Sequence, residues 1–147
     1  MNEKVCIMVR VEMLSVRAGE FRLKNVSFEI AAGEYAVLMG RTGCGKTTVL
    51  EAICGLKQVV AGRVILNQQD VTNLPPGARG IGFVPQDGSL FSTKTVRTHL
   101  AFGPRLQKWG ENEIDAQVNA LAEELGLSDL LDRKPFGLSG GERQRVA

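Results

Sequence analysis

The sequence has 147 residues, 44% of them hydrophobic and 23% charged, which is typical of a globular protein with a core of its own. The net charge of +2, without any basic run, gives no reason to expect a nucleic-acid partner. No apolar run approaches the length of a membrane span, the N-terminus lacks a signal-peptide core, and three irregularly spaced cysteines are too few for a disulfide framework or a zinc site.

The first predicted elements are two strands, Val5–Val16 and Phe21–Ile30, which together form a small antiparallel sheet. Apolar and polar residues alternate along the first strand. We therefore expect Val9, Val11 and Met13 on one face of the sheet, with the charged residues between them on the other.

The next segment has the pattern of a phosphate loop and is the most informative part of the sequence. A short apolar run, Tyr35–Met39, precedes it and predicts a buried parallel strand. Val49–Cys54 follows it and predicts a helix that ends at Gly55. Strand, glycine-rich turn and helix are the context that this motif requires. The loop consists of Gly40, Arg41, Thr42, Gly43, Cys44, Gly45, Lys46, Thr47 and Thr48.

These residue types suit the binding of a polyphosphate. Gly40, Gly43 and Gly45 let the backbone turn tightly, so that several N–H groups converge on one point at the start of a helix. Lys46 is predicted to reach the β- and γ-phosphates, and the Thr47 hydroxyl to ligate Mg²⁺.

The rest of the chain is predicted to form two short strands and then helices. Arg63–Asn67 is the first of these strands, and Ile81–Val84 is a core strand that runs into a Pro-Gln pair. A helix is expected over Thr95–Phe102, ended by Gly103-Pro104, and the next is expected to be capped by Asn112. Apolar residues recur at helical spacing along that last helix: Ile114, Val118, Leu121, Ala122 and Leu125. Two cysteines lie in apolar segments and are predicted to be core residues: Cys6 and Cys54.

The last ten residues, Leu138–Ala147, contain a second glycine-rich helix start. Ser139 and Glu142 have the spacing of a capping box, and Gly140 and Gly141 leave the backbone bare at the helix start, as an anion-binding helix end requires. As a local pattern alone, the segment is better explained as a helix start without a ligand.

Taken together, these segments resemble the ATP-binding subunits of ABC transporters. Leu138–Gln144 matches the signature motif of that family, Gly40–Thr47 its phosphate loop, and Gln86 its Q-loop glutamine. On its own, Gln86 would be interpreted as a solvated loop residue. Order and spacing also agree, and the resemblance covers essentially the full length of the chain.

The resemblance implies an α/β fold: a phosphate-loop NTPase (RecA-like) core with a flanking antiparallel β subdomain and a helical subdomain, and with the C-terminal part of the domain missing. It places the antiparallel β region at about 1–35, the phosphate-loop core at about 36–86, the helical subdomain at about 87–138 and the start of the signature helix at 139–147.

The resemblance also implies a site for ATP and Mg²⁺. Residues 40–48 and Gln86 would bind MgATP, with Thr47 and Gln86 as the metal ligands and Gln86 also as a sensor of the γ-phosphate. In this family the phosphate loop of one subunit faces the signature motif of another. Ser139, Gly140 and Gly141 would therefore contact an ATP molecule held by a second copy of the chain.

Two departures from the family pattern limit these expectations. The aromatic residue that stacks on adenine is absent near Arg17–Gly19, and Phe21 is either its substitute or a core residue. The sequence given also stops before the Walker B aspartate, the catalytic glutamate and the switch histidine; His99 lies upstream of the signature and is expected to have no catalytic duty. We therefore assign no catalytic residue. A nucleotide-binding piece without turnover is an alternative to an active ATPase.

Three segments resemble the ATPases of importers: 70–76, 79–87 and 130–135. The importers that they resemble most are those for molybdate, tungstate and sulfate. The resemblance implies a homodimer that acts with transmembrane permease subunits. The resemblance implies a cytoplasmic protein that the permease subunits hold at the inner face of the membrane. Its implied function is to power the uptake of an oxyanion. A non-transport ABC ATPase that acts on DNA or ribosomes is a further alternative, against which the short helical region and the absence of a basic patch argue.

Overall fold

A computed structural model describes residues 7–86 and 88–147, so the predictions for Val5 and Cys6 lie outside the described residues. The described residues form two compact units, one up to Phe83 and one from Val84 onwards. Within these residues, no helix is long and apolar enough to cross a membrane.

The first unit is built on a four-stranded antiparallel sheet with the strand order β2-β1-β3-β4. Its strands are β1 (Ile7–Ala18), β2 (Phe21–Ala31), β3 (Val59–Leu66) and the short β4 (Gln69–Asp70). The predicted antiparallel pair is confirmed as β1 and β2, and β3 begins four residues before the predicted Arg63.

A β-bulge in β1 changes which side chains face the core. Met13 has φ +48°, and the pairing register of β1 with β2 shifts between Val11 and Leu14. The extra residue reverses the alternation. Leu14 is fully buried and Met13 is exposed, so the prediction that Met13 shares the inner face with Val11 is wrong.

Helix α1 (Lys46–Ile53) packs against this sheet and completes the core of the first unit. It ends at Cys54 and Gly55, as predicted, and Gly55 has φ +80°, the left-handed conformation that ends many helices. The core consists of Val11, Leu14, Val16, Val49, Ala52, Val64, Leu66 and Val71. Cys54, predicted to be a core residue, is half-buried at its edge.

The two predicted core strands are wrong for the described residues. Tyr35–Met39 and Ile81–Val84 form no strand, and most of their side chains are exposed; Tyr35 is 94% exposed and Met39 84%. The physical reason is pairing: a strand needs a neighbour that takes its N–H and C=O groups, and the sheet contains β1–β4 alone among the described residues.

The second unit is helical, with α2 (Val96–Leu100), α3 (Phe102–Leu106), α4 (Glu111–Glu124) and α5 (Gly140–Val146). Its core consists of Val96, Ala101, Ile114, Val118, Ala122, Leu127, Leu131, Leu138 and Val146. The helical periodicity predicted for α4 is therefore confirmed, because its i, i+4 and i+8 apolar residues are the buried ones.

Two helix boundaries differ from the prediction. Gly103-Pro104 does not end a helix but lies in the first turn of α3, where proline's missing N–H costs no hydrogen bond. Asn112 is not the cap of α4. Gly110 is the cap, because the Glu113 carboxylate accepts a hydrogen bond from the Gly110 N–H at 3.1 Å.

Candidate functional site

The phosphate loop leads directly into α1 in the first unit. Gly45 is the N-cap of α1, with φ +99°, and no side chain caps the helix. Gly43 has φ +80°, so the loop uses backbone conformations that favour glycine at both positions. The first-turn N–H groups of α1 thus have no side-chain acceptor, and the positive end of the helix dipole adds to the field there.

The Lys46 side chain folds back onto this loop. Its Nζ donates hydrogen bonds of 2.9 Å to the carbonyl oxygens of both Gly40 and Arg41. The ammonium is thereby held at the loop rather than extended into solvent. Thr47, the next residue of α1, is exposed, and Cys44 is exposed within the loop.

The start of β2 supports the loop from one side. A Cβ atom at position 45 would lie 2.8 Å from Cζ of Phe21 and 3.1 Å from Cδ1 of Leu23. A glycine is therefore required at position 45 both by its φ angle and by these neighbours. The half-buried Phe21 ring is in contact with the loop.

Arg79 is a structural residue that supports α1, and no local sequence pattern signals this role. It is buried, and its guanidinium donates to four backbone carbonyl oxygens: those of Ala52 and Ile53 at the end of α1, and those of Thr72 and Leu74 in the loop after β4. The pKa of Arg79 is lowered by burial. Arg79 fixes the end of α1 opposite the phosphate loop; no sequence pattern signals such a contact between distant segments.

Gln86 and the signature motif lie in the second unit. Gln86 is exposed in a turn, in which the Gly88 N–H donates to the Pro85 carbonyl at 3.0 Å. A cavity of about 470 Å³ is lined by residues of this turn and of α5, among them Gln86, Gly140 and Arg143. The structure therefore brings Gln86 to the same cavity as the start of α5.

The predicted capping box at the start of α5 is confirmed. Ser139 Oγ accepts from the Glu142 N–H at 3.3 Å, and Glu142 Oε2 accepts from the Ser139 N–H at 2.6 Å. The hydrogen bonds that the Glu142 carboxylate accepts from Ser139 lower the pKa of Glu142. Gly140 and Gly141 are exposed, and a Cβ atom at Gly140 would meet nothing within 4 Å.

The predicted site residues thus divide between the two units. Residues 40–48 form one continuous loop in the first unit, and Gln86, Ser139, Gly140 and Gly141 belong to the second. No cluster of His, Cys, Asp and Glu that could hold a metal ion occurs in the described part of the chain.

The comparisons with known proteins agree on one family. A family model described as "ABC transporter" matches residues 23–147. The molybdate/tungstate import ATP-binding protein WtpC of Archaeoglobus fulgidus is 52% identical over 131 residues, covering 89% of this chain and 53% of the relative. The WtpC protein of Pyrococcus abyssi is 44% identical over 140 residues, covering 95% and 41%. The maltose/maltodextrin import protein MalK of Photorhabdus laumondii is 42% identical over 124 residues, covering 84% and 34%.

Solved structures agree with these relatives. An ATP-binding subunit of an ABC transporter matches with a TM-score of 0.84 at 26% identity, over 95% of this chain and 59% of that one. An ATP-binding cassette of an ABC transporter matches with a TM-score of 0.78 at 29% identity, over 95% and 62%. The chain spans about half the length, or less, of the curated relatives named above. The predicted likeness to molybdate and tungstate importers is confirmed at the level of these relatives.

Proposed function

Because the chain belongs to the ABC transporter family, we propose that it is the ATP-binding part of an importer ATPase and that its phosphate loop binds MgATP. The observation that carries the proposal is the start of α1. Gly45 leaves the helix without a side-chain cap, and Lys46 lies bonded to the carbonyls of the loop beside it. A cation and uncapped N–H groups at one helix end favour a phosphate chain.

Binding of ATP would change the partners of Lys46. Its ammonium would exchange the carbonyl oxygens of Gly40 and Arg41 for phosphate oxygens, which carry more negative charge. The first-turn N–H groups of α1 would donate to the same phosphates. The exchange has a modest cost, because the two ammonium–carbonyl bonds that are lost are replaced by bonds in which both donor and acceptor are charged.

The loop residues also fit Mg²⁺, which prefers oxygen ligands and keeps phosphate and water oxygens in its shell. The exposed Thr47 hydroxyl lies in the first turn of α1, and the exposed Gln86 side chain offers an amide oxygen. When bound, the ion neutralises charge on the β- and γ-phosphates. Holding it needs no cluster of protein carboxylates, because the nucleotide supplies most of the oxygens.

A second copy of the chain would complete the site. Ser139 Oγ accepts a bond from the Glu142 N–H, and its O–H would turn from the Glu142 carboxylate to donate to a γ-phosphate held by the other copy. The exposed Gly140 and Gly141 would add backbone N–H groups without a side chain in the way. ATP would then close a homodimer, and hydrolysis would reopen it.

We further propose that this ATPase works with transmembrane permease subunits on the cytoplasmic face of the membrane and that the cargo is an oxyanion. The support is the similarity to the relatives, two of which are molybdate/tungstate import ATP-binding proteins. The maltodextrin relative is almost as similar, so cargo must be tested by transport: uptake of molybdate or tungstate, but not of maltodextrin, is expected.

The direct test of nucleotide binding is calorimetric titration of the chain with MgATP. Lys46→Ala removes one charge-assisted contact and is expected to weaken binding about ten- to hundredfold. Lys57→Ala is the matched control: it removes a lysine of the same unit whose partner is Glu51, at 3.9 Å, and is expected to leave the affinity unchanged. Equal affinity of wild type and Lys46→Ala would refute the proposal.

A further inference from the structure

His99 is the single histidine of the sequence, and both of its ring nitrogens have backbone partners. Nε2 lies 2.9 Å from the Phe91 nitrogen, and Nδ1 lies 2.7 Å from the Thr95 carbonyl oxygen. The ring also stacks on the Phe91 ring, with centroids 5.7 Å apart and planes inclined by 28°. His99 on α2 is thus joined to Phe91 through both backbone and side chain.

These two partners assign the protonation state of the ring. A backbone N–H can only donate, so Nε2 must carry a lone pair to accept from Phe91. A carbonyl can only accept, so Nδ1 must carry the hydrogen that goes to Thr95. Both requirements are met by the same neutral tautomer, and an imidazolium, with hydrogens on both nitrogens, cannot accept from Phe91.

Phe91 lies five residues after Gln86, in the segment that connects the Gln86 turn to α2. One end of this segment is fixed by the turn, in which Gly88 N–H donates to Pro85. Near its other end, the Phe91 carbonyl accepts from Lys94 N–H at 3.0 Å, and the Phe91 N–H is held by His99. The ring therefore ties the path of this segment to α2.

We propose that His99 is a positioning residue for Gln86: its neutral ring holds the Phe91 backbone and so sets the path of residues 88–95, which lead from the Gln86 turn to α2. This inference rests on the proposed nucleotide role of Gln86. It adds a consequence of its own, because protonation of His99 removes the acceptor for Phe91 and releases the segment.

No carboxylate forms an ion pair with His99 among residues 7–86 and 88–147. Nearby acidic and basic groups have partners of their own: Arg97 bonds to Asp115 and Asn119, and Glu142 to Ser139. The titratable and charged groups on the segments and helices packed around α2 are Lys94, Arg97, Arg105, Glu111, Glu113, Asp115, Glu123, Glu124, Asp132, Arg133, Glu142, Arg143 and Arg145.

The first experiment is NMR of the full chain with ¹⁵N-labelled histidine, whose ring signals are unambiguous because His99 is the single histidine. We expect the Nδ1–H tautomer, and an amide of Phe91 that is protected from hydrogen exchange. The protection factor should fall in step with protonation of the ring as the pH is lowered. An Nε2–H tautomer, or protection that does not follow the ring titration, would overturn the inference.

Two variants separate the hydrogen bond from the stacking. His99→Phe keeps an aromatic ring beside Phe91 but has no acceptor, so protection of the Phe91 amide should be lost at every pH. His99→Gln supplies a carbonyl acceptor that does not titrate, so protection should persist and lose its pH dependence. Protection retained in His99→Phe would contradict the assigned role.

The functional measurement is the affinity for MgATP with and without Gln86→Ala. The ratio of the two affinities is determined in the wild type, in His99→Phe and in His99→Gln. We expect this ratio to shrink about threefold in His99→Phe and to be restored in His99→Gln. An unchanged ratio in His99→Phe would overturn the positioning role. Failure of MgATP to bind the wild-type chain, with the Phe91 results as expected, would instead refute the proposed function and leave the His99–Phe91 link standing.

Discussion

Helices α1 and α5 both begin at glycine-containing segments, but their first N–H groups find different partners. At α5, Ser139 and Glu142 satisfy each other's backbone N–H groups through a capping box. At α1, the cap is Gly45, which has no side chain to offer, and the adjacent Lys46 bonds to loop carbonyls instead. At the start of α5, side chains of the capping box satisfy two of the backbone N–H groups, whereas no side chain satisfies any of those at the start of α1.

The first N–H groups of every helix need acceptors, and these two helices show two ways of meeting that need. A capping box stabilises a helix start by itself, and glycines next to it then leave room for an approaching ligand. A glycine cap leaves the helix start less stable, and its position must be secured by tertiary contacts. For α1 those contacts are Phe21 at the loop and Arg79 at the other end of the helix.

The largest expected effect comes from placing a side chain at the α1 cap. Gly45→Ala forces a left-handed φ of +99° on a residue with a Cβ that would lie 2.8 Å from Phe21. We expect a loss of about 4 kcal/mol in the free energy of unfolding, together with loss of MgATP binding. Urea unfolding measures the first and calorimetric titration the second.

The matched change at α5 is Gly140→Ala, where a Cβ meets nothing within 4 Å. It should alter the free energy of unfolding by no more than about 0.5 kcal/mol. Equal losses in the two variants would show that the two helix starts do not differ as described.

Arg79 is expected to have the next largest effect, because it secures the other end of α1. Arg79→Met leaves the carbonyl oxygens of Ala52 and Ile53 without their charged donor inside the first unit. We expect a loss of about 3 kcal/mol in urea unfolding. Arg17→Met, an exposed arginine of the same unit, serves as the control and should change stability by less than about 0.5 kcal/mol. A small effect of Arg79→Met would mean that α1 does not depend on this clamp.

A smaller loss is expected at the α5 cap. Ser139→Ala removes the acceptor for the Glu142 N–H and should lower the free energy of unfolding by about 1 kcal/mol. Ser92→Ala changes another exposed serine of the second unit and is expected to have no measurable effect. If both variants unfold like the wild type, the capping box contributes nothing to stability.

The smallest predicted effect is the pH dependence of that cap. Hydrogen bonds from Ser139 lower the folded-state pKa of Glu142. Its contribution to stability is therefore fully present above the ordinary pKa of a glutamate, and it is lost as the pH falls through the lowered value of the folded state. Urea midpoints measured down the acidic range should fall less steeply for Glu142→Gln than for the wild type. Parallel curves would contradict this assignment.

Elements defined by neighbouring residues were predictable from the sequence. The Ser139–Glu142 capping box, the apolar stripe of α4 and the hairpin strands β1 and β2 all depend on spacings of a few residues, and the structure confirms them. The phosphate-loop pattern was likewise found from its order of glycines and lysine. Its role in binding, like those of Gln86 and the signature glycines, remains a prediction until nucleotide binding is measured.

What failed were the predictions that depended on a partner elsewhere in the chain. Tyr35–Met39 is as apolar as β3, yet β3 pairs with β1 while the other segment pairs with nothing among the described residues. Met13 was misplaced because a bulge, invisible in the alternating pattern, shifts the register by one residue.

The sequence by itself determined the family, the loop that is proposed to grip ATP, and the helix start proposed to meet a second nucleotide. These follow from short-range geometry: glycines that permit certain φ angles, and side chains that reach backbone groups three residues away. Only the tertiary structure decided which apolar runs become strands, that Arg79 secures α1, and that both nitrogens of His99 are bonded. Those outcomes depend on hydrogen-bond donors and acceptors that meet only after distant segments of the chain have packed together.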